Sequence, residues 1–342
     1  MTAFRENSMT SRRALLATPF VAGLASLAGA SPSQAQESFP AHPVRLVVPF
    51  TPGGAVDLTG RLLAEMLPPI LGQSLIVENR GGAGGNLGGD NVAKSPKDGY
   101  SLLLGTATIL AANKFLFRRS MSFDPVTDLA PICRVATGTV LLVVKADRPW
   151  KDFAELIAAA KEKPGRITMA SSGTGAVSHL SLAALNRAAG VEITHVPYRG
   201  GAPAIQDLLA GNVDMMFDVI PALMPHVREG RLRALAVGSA GRVTYVPELR
   251  EVPGMQELLP NSGIDSQSWY AVMAPAGTPQ DRIAVLHRAI RQVAESDAFR
   301  AKMEPLGFAP VWDESPAAFG EYLRAQEQVW KGLVEVSGAT LD

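Results

Sequence analysis

The sequence predicts an α/β protein of two lobes, with parallel sheets covered by helices on both faces. Three observations carry this expectation. Short apolar and β-branched runs alternate with helical patterns along the whole chain, the arrangement that buries parallel strands between helices. A strand that opens into a Gly- and hydroxyl-rich loop and then a helix occurs twice, about 120 residues apart. The chain has 342 residues, 47% of them hydrophobic, which suffices for two ordinary domains with a sizeable core.

The first of these constructions is Val44 to Phe50 (VRLVVPF), the turn Thr51-Pro52-Gly53-Gly54 and a helix from Asp57 that Pro68-Pro69 stops. Asp57 is expected to cap that helix, Asp being favoured at the N-cap. Ser74 to Glu78 reads as a second strand and feeds Asn79 to Asn86, the most Gly-rich stretch, expected to be a hinge or cleft-lining loop. Tyr100 to Gly105 is a third strand ending at Thr106, and Thr139 to Lys145 a fourth. A helix over Phe153 to Lys163 follows. The second construction is Ile167 to Ala170, the loop Ser171-Ser172-Gly173-Thr174-Gly175 and a helix that buries Leu182 and Leu185. Glycine allows close approach of a ligand, hydroxyls donate hydrogen bonds, and the first N–H groups of a helix are unpaired at its positive end. Both loops are therefore anion receptors, for a carboxylate or phosphate. Further strands are Ile193 to Pro197, Val213 to Val219 with Asp218 near its carboxyl end, Leu232 to Val237 and Ser268 to Met273. A helix from Pro203 stops at Gly211, and two helices, over Ile283 to Val293 and Phe319 to Leu333, close the chain.

Thirty-two basic and 32 acidic residues cancel, so nothing points to nucleic acid or an anionic membrane surface. Cys133 is the only cysteine, which excludes an intrachain disulfide and a Cys-based metal cluster; its apolar context marks a core residue. Ser11-Arg12-Arg13 before a weakly apolar stretch from Ala14 to Ala30, then Ser33-Gln34-Ala35, reads as an export leader over residues 1–35 that is similar to a twin-arginine signal. The mature start is placed near Gln36, giving an exported, periplasmic and soluble product. Removing Arg5, Arg12, Arg13 and Glu6 leaves 29 basic and 31 acidic residues.

Catalytic signatures are weak. Gly82-x-Gly84 follows a strand, but Leu87 stands where a dinucleotide fingerprint needs its third glycine, and no Lys-Ser/Thr follows. Ser171, Ser172 and Ser239 lack the leading glycine of Gly-x-Ser-x-Gly. The histidines at 42, 179, 195, 226 and 287 show no metal-ligand spacing, so no metal and no cofactor is expected. His179 alone sits near a candidate site, with a packing or capping role beside a ligand-binding one. Asp57 and Asp218 could form a carboxylate pair, yet nothing assembles nucleophile, base and orienting group, and the chain is not expected to be an enzyme.

Six motifs then occur in order: PFTPGGAVD (49–57), VENRGGAGGNLGG (77–89), SSGTGAVSHL (171–180), VPYRGGAPAIQDLLAGNVDMMFD (196–218), LRALAVGSAGR (232–242) and WYAVMAPAGTP (269–279). Together they resemble the Bug (Bordetella uptake gene) family, extracytoplasmic solute receptors of tripartite tricarboxylate transporters, over essentially the whole chain after the leader. The resemblance implies a two-lobed periplasmic-binding-protein fold (Venus-flytrap, type 2) whose interlobe cleft takes a small carboxylate or related amide. It implies a ligand held by loop amides and hydroxyls, with Phe50, Thr51, Pro52, Gly53, Gly54, Asp57 and Thr106 in lobe one. Ser171 to Gly175, His179, Tyr198 and Asp218 would line lobe two. One departure stands out: Gly81 replaces a proline usual in the family loop and leaves it freer. Lobe one is expected over 37–141 and 271–342, lobe two over 142–270, with crossings near Leu141 to Val143 and Tyr270 to Val272. The expected partners are the ligand and membrane permease subunits, the receptor itself a monomer. A same-fold receptor for a two-component sensor and a secreted hydrolase are the alternatives.

Overall fold

The structure is a computed structural model that describes residues 39–198 and 200–341; the expected leader lies outside them. β1 (Val44–Val48) is buried at four of five positions and leads through an exposed loop into α1 (Ala55–Met66) and the short α2 (Pro68–Leu71). β2 (Leu75–Asn79) follows. The glycine-rich stretch after it is a loop as far as Gly85, close to the expected span of Asn79 to Asn86, and α3 (Asn86–Ala93), which the sequence did not suggest, then begins. Its glycines serve packing: a Cβ on Gly88 would sit 2.9 Å from Pro49 Cα, and one on Gly89 2.3 Å from the Phe123 ring.

β3 (Ser101–Thr106) is wholly buried and ends in a π-helical turn (Thr108–Ala112) and α4 (Asn113–Leu116). Then comes β4 (Leu129–Lys145), a strand of 17 residues of which the sequence suggested only the last seven; Pro131 and Gly138 break the apolar pattern of its first part. After α5 (Phe153–Glu162) come β5 (Thr168–Ser171), α6 (Val177–Ala189), β6 (Thr194–Pro197), α7 (Gly201–Ala210) and β7 (Met215–Val219). Gly211 terminates α7 in the left-handed region, as its position suggested. α8 (Ile220–Arg228), β8 (Leu232–Val237), α9 (Met255–Leu258), β9 (Gln267–Pro275), α10 (Gln280–Glu295), α11 (Asp297–Met303), β10 (Phe308–Pro310) and α12 (Pro316–Ser337) complete the chain.

The strands run β2-β1-β3-β9-β4-β7-β5-β6, with β8 and β10 also on β4. β1 is parallel to β2 and β3, and β5 is parallel to β6 and β7. The sheets are mixed rather than purely parallel, because β4 and β9 run antiparallel to their neighbours. β4 belongs to both halves: Leu129 to Thr139 pairs with β9, and Val140 to Lys145 with β7 and β8. The chain returns to the first half at Ser266, whose N–H donates to Gly238 O while Val140 N–H donates to Ser266 O. α12 bridges the two halves, its Trp330 and Val334 packing with Ile109, Leu116 and Leu180 while Leu333 reaches the core around Leu182 and Leu185. Cys133 is buried, free and part of the first core, as expected.

Candidate functional site

Parallel strands place their loops at one edge, so each half gathers its βα loops at the carboxyl ends of its strands. In the first half, Phe50 to Gly54 follow β1 and Asn79 to Gly85 follow β2. Arg80 N–H donates to Val48 O, Asn79 Nδ2 donates to Phe50 O at 3.1 Å, and the Phe50 ring lies 3.5 Å from where Gly85 would carry a Cβ. Thr51 to Gly54 are exposed, Phe50 half-buried.

Asp57 is 1% exposed and does not cap the helix. Gly54 is the N-cap and makes no side-chain bond; Asp57 is the third helical residue. Its Oδ2 accepts from Gly53 N–H (2.8 Å) and Arg61 Nε (2.8 Å), its Oδ1 from Asn79 Nδ2 (2.8 Å). Burial pushes this carboxyl up, but the three donors and the Arg61 charge outweigh it and hold it below its ordinary value. Asp57 therefore shapes the loop, with every oxygen spoken for. Among the described residues, no partner is recorded for the N–H groups of Gly54, Ala55, Val56 and Asp57, the donors at the positive end of α1.

The second half repeats the plan with a different interior. Ser171 is fully buried, and its Oγ lies 2.6 Å from His195 Nε2 while accepting from Gly173 N–H at 3.2 Å. Ser172 N–H donates to Ser178 Oγ (3.2 Å), and Gly175 N–H to His179 Nδ1 (3.1 Å). Three loop amides thus point inward to hold the loop. Thr174 and the first turn of α6 keep their donors open among the described residues. His179 accepts from Gly175, one residue before the N-cap Ala176, so like Asp57 it holds the loop rather than capping the helix, and it stacks on His195, centroids 3.9 Å apart. Desolvation lowers both, His195 to about 4 with help from His179, so the pair is neutral near pH 7. The two rings also wall a cavity of about 540 Å³ with Arg187, Val191 and Val336.

Tyr198 and Asp218 come to the same edge. Gly173 backs on Tyr198 O, whose side-chain Oη donates to Asp207 Oδ2 at 2.6 Å. Asp218 is 6% exposed; its Oδ1 accepts from Val219 N–H, and its Oδ2 lies 2.9 Å from where Gly201 would carry a Cβ at the uncapped start of α7. Burial raises the Asp218 carboxyl to about 6. Thr106 is buried opposite Tyr270 in the β3–β9 register, and the Asp218 charge is felt at Tyr270, so Thr106 and Asp218 approach one region from opposite halves. Gly175 abuts Leu116 of the first half and Leu341 near the C-terminus.

Sequence reasoning did not select His195, Asn79, Gly201 or Tyr270. The β5–β6 register pairs His195 with Met169, on the strand face that also carries Ser171; that register was the missing signal. Among the described residues no group of three or more His, Cys, Asp or Glu could hold a metal.

Comparison with known proteins agrees with this geometry. A family model described as the tripartite tricarboxylate transporter family receptor matches residues 59–338. The chain belongs to this family. Protein BugT of Bordetella pertussis is 36% identical over 314 residues, covering 92% of this chain and 95% of BugT. Two solved structures superpose over most of the receptor. Rpa4515 of R. palustris, with adipate, has a TM-score of 0.78 at 36% identity, covering 89% of this chain and all of that one. MatC of Rhodopseudomonas palustris, with bound malate, has a TM-score of 0.74 at 31% identity, covering 86% and 100%. The receptor has the two-lobed periplasmic-binding-protein fold with its ligand cleft between the lobes.

Proposed function

We propose that this receptor captures a small carboxylate, or a related amide, in the cleft and presents it to the membrane permease subunits of a tripartite transporter. The observation that carries the reading is that helix N-termini are left uncapped in both halves, α1 in one and α6 and α7 in the other, with loops rich in open N–H and hydroxyl donors before α1 and α6. The adipate and malate in the two neighbours' structures point to the same ligand class. A carboxylate satisfying donors from both halves binds the closed form better than the open one and shifts the population toward closure. We take Phe50 to Gly54, Thr106, Ser172 to Gly175, Tyr198 and Asp218 as the lining. Asp57, Ser171 and His179 act from behind it. We take the lobes to divide near Thr139/Val140 and Ser266/Gln267, a few residues before the expected 141/142 and 270/271, a reading supported by the change of strand partners there.

The receptor works in the periplasm as a monomer and does no chemistry on its ligand. The Ser171–His195 couple is the one feature that invites a hydrolase reading. Ser171 Oγ is buried and already bonded to the loop backbone, which leaves a substrate no line of attack. Native mass spectrometry before and after mild unfolding tests the reading. A small acid released on unfolding supports it; a well-folded protein that carries nothing and gains no melting temperature with adipate, malate or other short acids refutes it.

A further inference from the structure

We infer that Asp218 takes up a proton when the ligand binds and, keeping it, donates a hydrogen bond to the ligand's carboxylate. The inference rests on the carboxylate reading above and deepens it: the acid enters as an anion plus one proton, and affinity rises as pH falls.

Among the described residues three aspartates are buried, Asp57, Asp218 and Asp313, and the two beside the ligand loops have opposite surroundings. Asp57 has three donors for its two oxygens. Asp218 has one, the Val219 N–H on Oδ1 at 2.7 Å, and no partner is recorded for its Oδ2 among the described residues. That oxygen is not among the sealed, unsatisfied polar atoms, so it keeps an opening, and it lies against the start of α7 where Gly201 leaves room. A carboxylate so poorly solvated is costly to keep ionised, and an anionic ligand beside it raises that cost further. Protonation removes both penalties and turns Oδ2 into a hydrogen-bond donor, the group an incoming carboxylate requires.

Among the described residues, the charged side chains on the elements around Asp218 are paired elsewhere. Asp218 pairs across β4 with Leu141, β5 runs alongside with Ala170 opposite Met216, α7 brings Gly201, and β9 brings Tyr270. Burial pushes the Tyr270 phenol far up, so it stays neutral. On the same elements, Lys145 pairs with Asp147 and Asp214 with Arg148, while Asp207 accepts from Tyr198 and Asn212. His195 on β6 is neutral near pH 7. The Asp218 carboxyl, raised by burial to about 6, is poised to take its proton just below neutral pH. The positive end of α7 favours the ionised form and so works against the burial.

Isothermal titration of the protein with adipate between pH 8 and 6.5, where the probe stays fully ionised, decides the matter. Expected for wild type is an affinity gain approaching about tenfold per pH unit lost, with close to one proton taken up on comparing buffers of different ionisation enthalpy. Asp218→Asn, which mimics the neutral acid, should bind at pH 8 at least as tightly as wild type does, with a flat profile; any slope from the histidines would persist in it. Binding that is flat in wild type, or that weakens as pH falls as for an ammonium-bearing ligand read by ionised Asp218, overturns the inference and leaves the carboxylate reading standing. Wild-type protein that binds no member of a panel of three- to eight-carbon acids at any pH removes both.

Discussion

Replacing Asp57 by Asn tests whether this side chain builds the first ligand loop. The carboxylate accepts from three donors: Gly53 N–H and Arg61 Nε on one oxygen, Asn79 Nδ2 on the other. An amide has one acceptor oxygen and one NH2 group. Its oxygen will take the Gly53 and Arg61 side, so the NH2 is set against Asn79 Nδ2, donor against donor. Asn79 cannot flip in response, because the same nitrogen donates to Phe50 O. One buried hydrogen bond is lost with two donors opposed, a cost of about 1–3 kcal/mol. Losing the charge on Arg61 adds little, that side chain being 55% exposed. The total, about 1–3 kcal/mol, corresponds to a melting-temperature drop of roughly 2–6 °C for a chain of this size. Arg61→Ala should cost less than about 0.5 kcal/mol by the same reasoning. Calorimetry gives the drop, and hydrogen exchange at Gly53 reports the loosened loop. The pH sign follows from the depressed carboxyl: its stabilisation is present above the ordinary value of 3.8 and is lost as pH falls through the folded value. The gap between wild type and Asp57→Asn should therefore close in acid. A variant that melts within 1 °C of wild type with unchanged exchange at Gly53 would refute the donor count.

Other expectations follow from single features. Gly54 has φ −80° and only Thr51 O, at 3.9 Å, near its Cβ position, so Gly54→Val should fold with at most about 1 kcal/mol lost at the N-cap. Its affinity for a bound acid should nonetheless drop tenfold or more; full affinity would remove this loop from the site. Arg134 grips Asp313 through Nε and a terminal nitrogen and stacks on Tyr322 at 3.8 Å, while Asp313 is only 5% exposed. Arg134→Met should cost about 3–5 kcal/mol in urea unfolding, and the double variant with Asp313→Leu should regain most of it. The His179–His195 stack has depressed values, so the unfolded chain takes up protons first and stability is lost as pH falls from 6.5 toward about 4. His195→Gln should melt with a shallower slope over that window; a parallel slope would show that the stack does not titrate there.

What could be read from the sequence was whatever local pattern determines. Val44 to Val48 and Leu232 to Val237 announce themselves as apolar runs, and Gly211 as a helix stop, because the cause lies within a few residues. The first part of β4 was hidden because its partner β9 lies about 130 residues away and its own residues include Pro131 and Gly138. α3 was hidden by Gly88 and Gly89, which make poor helix but allow contact with Pro49 and Phe123. Pro221 and Pro225 disguised α8 in the same way. At the site, the two loops were legible as ligand-facing chemistry, yet which amides are open and which are spent on Asp57, Ser171, Ser178 and His179 depends on side-chain direction. His195 was invisible since only the parallel register brings it to Ser171, 24 residues earlier.

The shared strand β4 has a further consequence for a chain still being synthesised. The sheet built on β5, β6, β7 and β8 draws its strands from one uninterrupted stretch and can close as soon as Val237 has emerged. The other sheet cannot: β3 and the first part of β4 both wait for β9, which begins at Gln267, and the helices over that core come later still. Until then β3 offers an open edge around Leu102, Leu103 and Leu104, the kind of surface that pairs with the wrong neighbour. The late-completed half, rather than the continuous one, is where a nascent chain needs protection, and truncation before Gln267 should leave one folded half and one that aggregates.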